Sequence, residues 1–177
     1  MRWLWYFIIY SFAGFLLEVA FARVIRHPKK DRKCLLLLPL CPVYGLGACL
    51  VVWLAPMIKS PLWVMAVGAL ATTGAEFIMG AFYRFALGVE FWDYTGFPGS
   101  LGGLVCPVFS ACWTVLSLLL VYAVHPLVAS LAAGIPAWLG PPALIVLNAD
   151  MLVSCAALRR AGTTDVLKWY TRSAEPS

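Results

Sequence analysis

The sequence predicts an all-α fold: a polytopic membrane helical bundle of five transmembrane helices, with the N-terminus outside and the C-terminus in the cytoplasm. Three observations lead there. Hydrophobic residues make up 63% of the 177 and charged residues 12%, about half the ~25% charge of a soluble domain. The apolar residues gather in runs of about 20, the length that crosses a hydrocarbon core of ~30 Å. The basic residues fall in short segments between those runs, the pattern that sets membrane orientation. The net charge of +5 and pI near 9.0 therefore record topology, and no nucleic-acid partner is implied.

Residues 3–25 make the first span, with Trp3, Trp5 and Tyr6 suited to an interfacial aromatic belt. A signal peptide competes with that reading, since Ala20-Phe21-Ala22 imitates a cleavage site. Glu18 inside the run and the basic segment after it speak against export. Arg23, Arg26, Lys29, Lys30, Arg32 and Lys33 oppose Asp31 alone, which makes this loop cytoplasmic and places it against anionic headgroups.

Residues 35–58 form the second span, with a kinked or re-entrant start. Pro39 and Pro42 remove backbone donors, and Gly45 and Gly47 permit unusual dihedrals. A Pro-kinked helix start is one reading; broken backbone packed in protein or lining a polar cavity is the other. The third span, Leu62 to Leu87, ends with Arg84 at the cytoplasmic side, and a Gly-rich loop at the inner interface follows. Residues 104–124 are the fourth span, and His125 to Trp138 a short segment with three readings: an outer interfacial helix, a loop, or part of a longer fourth span. The fifth span runs from Leu139 to Leu158, with Arg159, Arg160, Lys168 and Arg172 after it. Residues 1–160 thus form a single transmembrane domain, and residues 161–177 a cytoplasmic tail. The six cysteines contain no CxxC pair and read as buried thiols.

Function is carried by acids inside these spans. A carboxylate in mid-membrane costs at least ~2.5 kcal/mol, so it marks a functional candidate. Gly68, Thr72, Glu76, Gly80 and Arg84 recur every four residues, a stripe of small and polar side chains that should face protein. Ser11, Gly14 and Glu18 share a face in the same way. At 1.5 Å per residue, Glu18, Glu76 and Asp150 lie about 22, 21 and 16 Å from the outer ends of their helices. The expectation is one inward-opening polar site lined by Glu18, Glu76, Asp150, Tyr44 and Tyr94, with Arg84 as counter-charge and Asp93 and Glu90 competing for it. Three carboxylates close together require cations or protons; the bland alternative is that they are hydrogen-bonded bundle glue.

The chain carries only His27 and His125, and no HExxH, GxSxG or phosphate-loop motif. It reads more as a non-enzyme than as an enzyme, with carboxylate-only catalysis in lipid-linked chemistry as the alternative; no cofactor or metal is implied, and ATP-driven work would need a separate ATPase subunit. A homodimer or partner complex within membrane lipid is expected at this size.

Several motifs resemble one family. Ser11-x-x-Gly14-x-x-x-Glu18, Cys41-Pro42-Val43-Tyr44-Gly45-x-Gly47, Glu76, Phe91-Trp92-Asp93-Tyr94, Cys106, Trp113 and Asp150-x-x-x-Ser154 are similar to the ABC-transporter type IV, CmpB-like, integral membrane proteins over residues 7–158. Two departures stand out. Asp31-Arg32-Lys33-Cys34 replaces an Asn-Arg-Gly stretch, and Gly99-Ser100 stands where an asparagine usually follows the Trp-Asp-Tyr loop. The resemblance implies the five-span fold and a transport-related permease or substrate-binding subunit in the cell membrane; the runner-up is a non-catalytic scaffold or regulator.

Overall fold

A computed structural model describes residues 1–24 and 34–167. Among them the protein is helical, with no strand and a single antiparallel bridge between Leu101 and Val105. Helix α1 is Arg2–Val24 and α2 Pro42–Leu54, the latter continued by a 3-10 turn, Ala55–Met57. Helix α3 is Pro61–Ala81, widened at its end into a π turn, Phe82–Leu87. Helix α4 is Pro107–Leu119, followed by a second π turn, Leu120–Val124, and by α5, His125–Ala133. After the 3-10 turn Ala137–Leu139 comes α6, Gly140–Ala161. Four of these stretches are long and apolar enough to cross a membrane: Arg2–Val24, Pro61–Leu87, Pro107–Ala133 and Ala137–Ala161. Pro42–Met57 is a shorter apolar helix. The protein is therefore a multi-pass membrane protein. The basic residues Arg26, Lys29, Lys30, Arg32 and Lys33 and the tail from Lys168 onward lie outside the described residues.

Two boundaries differ from expectation. The segment from His125 is not a separate interfacial piece: it continues the fourth span to Ala133. Pro126 has no amide to give the preceding turn, and the wide π turn just before it absorbs the missing bond, with the His125 amide reaching back to the Leu120 carbonyl. Near this point the Tyr10 hydroxyl and His125 Nδ1 stand 2.7 Å apart, tying α1 to α5.

The second span starts late. Residues 34–41 are not helical, and α2 begins at Pro42, where proline's fixed φ suits the first helical position. The broken-backbone reading is the one the structure shows. Pro39 removes a donor, and the residue before a proline is pushed toward extended backbone. Four of the freed amides have partners. Leu37 N–H donates to Asp150 Oδ1 at 3.0 Å and Ser154 Oγ at 3.1 Å, and Leu38 N–H to Asp150 Oδ2 at 2.9 Å. Leu40 N–H reaches the Leu38 carbonyl at 2.7 Å, and Cys41 N–H the Ser11 carbonyl of α1 at 2.8 Å. Leu35 and Leu36 are buried in the larger core with Leu147 and Leu158 of α6 and Met79 and Tyr83 of the third span.

The cysteines need correction. Cys34 and Cys41 form a disulfide, Cα–Cα 4.9 Å, and Cys112 is exposed. Seven residues apart on a helix these two would stand about 10 Å from each other, beyond disulfide reach. Leaving helical form is what brings them together.

Small residues set the approach of α1 to α2 and of α3 to its neighbours. A Cβ on Gly14 would collide with Tyr44, and one on Gly45 with Ser11 Oγ and with the Phe7 ring at 2.8 Å. On α3, a Cβ on Gly68 would strike Ser117 of α4, and Gly47 of α2 fits over Thr72, with 3.3 Å left for a Cβ. Gly74 meets nothing within 4 Å. Gly45→Ala should therefore lower stability by roughly 1–3 kcal/mol, while Gly74→Ala gains up to about 1 kcal/mol from helix propensity. Thermal unfolding of the two purified variants checks the pair; equal losses would sink the close-packing account.

Candidate functional site

The expected stripe on the third span does face protein. Gly68, Thr72, Glu76 and Gly80 are buried, and Arg84 follows half-buried on the π turn. The last small position serves the loop: Gly80 lies under Trp92 and Leu104. That loop, residues 88–106, folds back on itself. Trp92 Nε1 donates to the Leu104 carbonyl at 2.9 Å, and Tyr94 N–H to the Gly103 carbonyl at 2.9 Å. Gly102 and Gly103 adopt φ of 61° and 75°, the left-handed region open to glycine, and a Cβ on Gly103 would press on Asp93 Oδ1 at 2.6 Å.

The fold-back delivers Tyr94 to Glu76. The Tyr94 hydroxyl donates to Glu76 Oε1 at 2.9 Å, and Trp113 Nε1 of α4 to Glu76 Oε2 at 3.0 Å. From the opposite wall the Tyr44 hydroxyl donates to Glu18 Oε1 at 2.9 Å. These groups close around a cavity of about 260 Å³ lined by Glu18, Tyr44, Glu76, Trp92, Tyr94 and Trp113, among others. Its walls are aromatic. Tyr44 and Trp113 meet at 5.0 Å, and Tyr94 stacks on Phe109 at 4.6 Å. Burial, then the Glu76 charge, pushes the Tyr94 hydroxyl well above its usual range, so it remains a donor at any accessible pH.

Other expected site residues serve elsewhere. Asp150 does not line the cavity. It is buried at 9% exposure and accepts from Leu37, Leu38 and, at 2.9 Å, Ser154 Oγ, because the non-helical segment needed acceptors. Arg84 does not pair with Glu76. Its Nη1 donates to the Gly102 carbonyl at 2.6 Å, and its Nε stands 2.6 Å from Glu90 Oε1 as a charge contact off the hydrogen-bond angle. Both partners belong to the loop that follows, so Arg84 latches it. Asp93 is an exposed turn-former, taking the Thr95 amide and hydroxyl at 2.9 Å each. Ser11, Gly14, Gly45 and Gly47 are packing positions, Cys41 is half of the disulfide, and Pro42 opens α2. Trp113 is more than the structural position it seemed. An indole N–H in an apolar span requires an acceptor, and that signal was present in the sequence.

The Thr95 amide and hydroxyl, with the Arg84 charge beyond, hold the Asp93 carboxyl below its usual range. A depressed pKa stabilises above the unfolded value and is lost as pH falls through the folded one. The Thr95 amide should therefore lose protection from hydrogen exchange only in acid below the ordinary aspartate range, and Asp93→Asn should abolish that pH dependence. A Thr95 amide already unprotected at neutral pH would contradict the turn.

Comparison with curated proteins returns no match, and neither does comparison with solved structures. A family model does match, over residues 5–157, and it takes in each position described above. The chain belongs to the family described as Putative ABC-transporter type IV.

Proposed function

We propose that the protein is a transport-related permease or substrate-binding membrane subunit whose intramembrane chamber takes a cation at Glu18 and Glu76. The observation that carries this is a cavity lined by Glu76, whose two hydrogen-bond donors, Tyr94 and Trp113, are both neutral, with Glu18 on the same cavity. Neutral donors orient the Glu76 carboxylate without balancing its charge, so a proton or a cation completes it. Among the described residues no group of three His, Cys, Asp or Glu side chains could hold a metal ion, so an organic cation or a proton suits the chamber better than a chelated metal. Asp150 joins this reading as the support of the chamber's wall.

Five crossings, N-terminus outside, complete the proposal. Helix α2 and its 3-10 turn rise roughly 24 Å, and the extended stretch before them adds about 3 Å per residue, enough for a fifth passage of a ~30 Å core. The chamber then opens toward the cytoplasm, in the inner half of the cell membrane. A homodimer, or a separate ATPase subunit of the kind the family description names, would complete a transporter.

The scaffold reading draws on Asp150, whose oxygens are spent on the chain's own amides. Glu76 differs by standing against open volume. In the purified protein, tetramethylammonium at a hundredfold excess over Kd should stabilise the native state by about 2.7 kcal/mol. Glu76→Gln should abolish that response. A wild-type protein indifferent to the cation would favour the scaffold.

A further inference from the structure

The chamber has a second compartment. Leu17, Tyr44, Trp113 and Leu116 line it and also line a cavity of about 500 Å³ above. The reason is the order of packing: α1 lies on α2, α2 on α3 and α3 on α4, while α1 and α4 stay apart. The slot between them has a floor of Tyr44, Ala48 and Thr72. Its sides are apolar, with Ala13, Leu16 and Ala20 on α1 facing Leu116, Leu119 and Leu120. It follows α1 from Tyr10 to Ala20, about 15 Å. Leu16 and Leu119, at 51% and 56% exposure, stand on its rim, so the slot opens sideways to where lipid chains lie.

A carboxylate-aromatic chamber joined to a chain-width apolar slot matches one kind of molecule. We propose that the protein binds a single-chain amphiphile with an ammonium head, the head in the chamber against Glu76 and the tail in the slot between α1 and α4. The proposal rests on the cation-binding reading above and names its substrate class. Three features select the head. Glu76 supplies negative charge, and the faces of Tyr44, Trp113 and Tyr94 supply the ring quadrupoles that attract ammonium groups, most strongly when desolvated. No Lys, Arg or His is among the described residues lining either compartment. Among those described residues a phosphate would meet carboxylates and no basic group, whereas an ammonium meets carboxylate and aromatic faces.

The tail gains little by leaving the bilayer, because lipid chains are as apolar as leucine. The slot orients the molecule, and the head discriminates. Position is therefore the quantity to measure.

The full chain in lipid nanodiscs would be irradiated with a dodecyltrimethylammonium probe carrying a diazirine in mid-tail, and the labelled residues mapped by peptide mass spectrometry. Labels should concentrate on residues 13–20 and 116–124, roughly tenfold above the exposed Leu144, Ile145, Val146, Leu152 and Val153 of α6. Excess tetramethylammonium, which needs no variant, should reduce them to the α6 level, as should Glu76→Gln. A carboxylate-headed probe with the same tail should label both regions alike. Even labelling by the ammonium probe, with tetramethylammonium still stabilising the protein, overturns the amphiphile and leaves the cation chamber standing. Even labelling with no stabilisation overturns both.

Discussion

Asp150 accepting the amides of Leu37 and Leu38 is the interaction on which the rest of the bundle depends. A chain that leaves helical form between apolar helices exposes amides where no water can take them, and irregular backbone survives at that depth only when protein supplies the acceptors. Each buried amide left without one would cost about 1–3 kcal/mol. One carboxylate and the Ser154 hydroxyl answer for both. With Leu35 and Leu36 locked in the core and Cys41 tied to the Ser11 carbonyl, α2 is obliged to begin at Pro42. That start fixes where Tyr44 falls.

Close packing turns this placement into chemistry. Gly14 leaves room for Tyr44, and Gly45 for Ser11, so α1 and α2 approach until the Tyr44 hydroxyl meets Glu18 in the next turn of α1. The third span repeats the logic, with Gly68 against Ser117 and Gly80 under Trp92. Its carboxylate then meets Trp113 from α4 and Tyr94 from the loop. The same close contacts that draw α2 and α3 inward leave α1 and α4 apart, and the slot between them follows from the chain's order of packing.

Much of this was legible in the residues. The four-residue stripe on the third span pointed Glu76 inward, and the Pro/Gly cluster offered broken backbone as one of two readings, which holds for residues 34–41 while Pro42, Gly45 and Gly47 lie in α2. What the sequence could not show was partition. Depth along a helix placed Glu18, Glu76 and Asp150 at one level, but depth says nothing about azimuth, and Asp150 turns toward the segment 37–38 instead of the cavity. Arg84 shares a face with Glu76, yet a loop that folds back offers Glu90 and the Gly102 carbonyl first. The Cys34–Cys41 bond was hidden for a related reason: its geometry exists only if the segment is not helical. Helical periodicity reads faces well and reads the tertiary return of a loop hardly at all.

Two buried carboxylates in one small bundle thus come to opposite ends. Asp150 faces amides of its own chain and a serine one turn away, and three hydrogen bonds to its two oxygens hold the non-helical backbone in place. Glu76 is met by a phenol and an indole, side chains rooted in different elements, and beside them lies open volume. Such donors set the carboxylate's direction without neutralising its charge. An acid fixed in orientation, short of charge compensation and walled by aromatic faces is arranged to be completed by something that arrives, whereas one bonded to backbone amides is arranged to stay as it is.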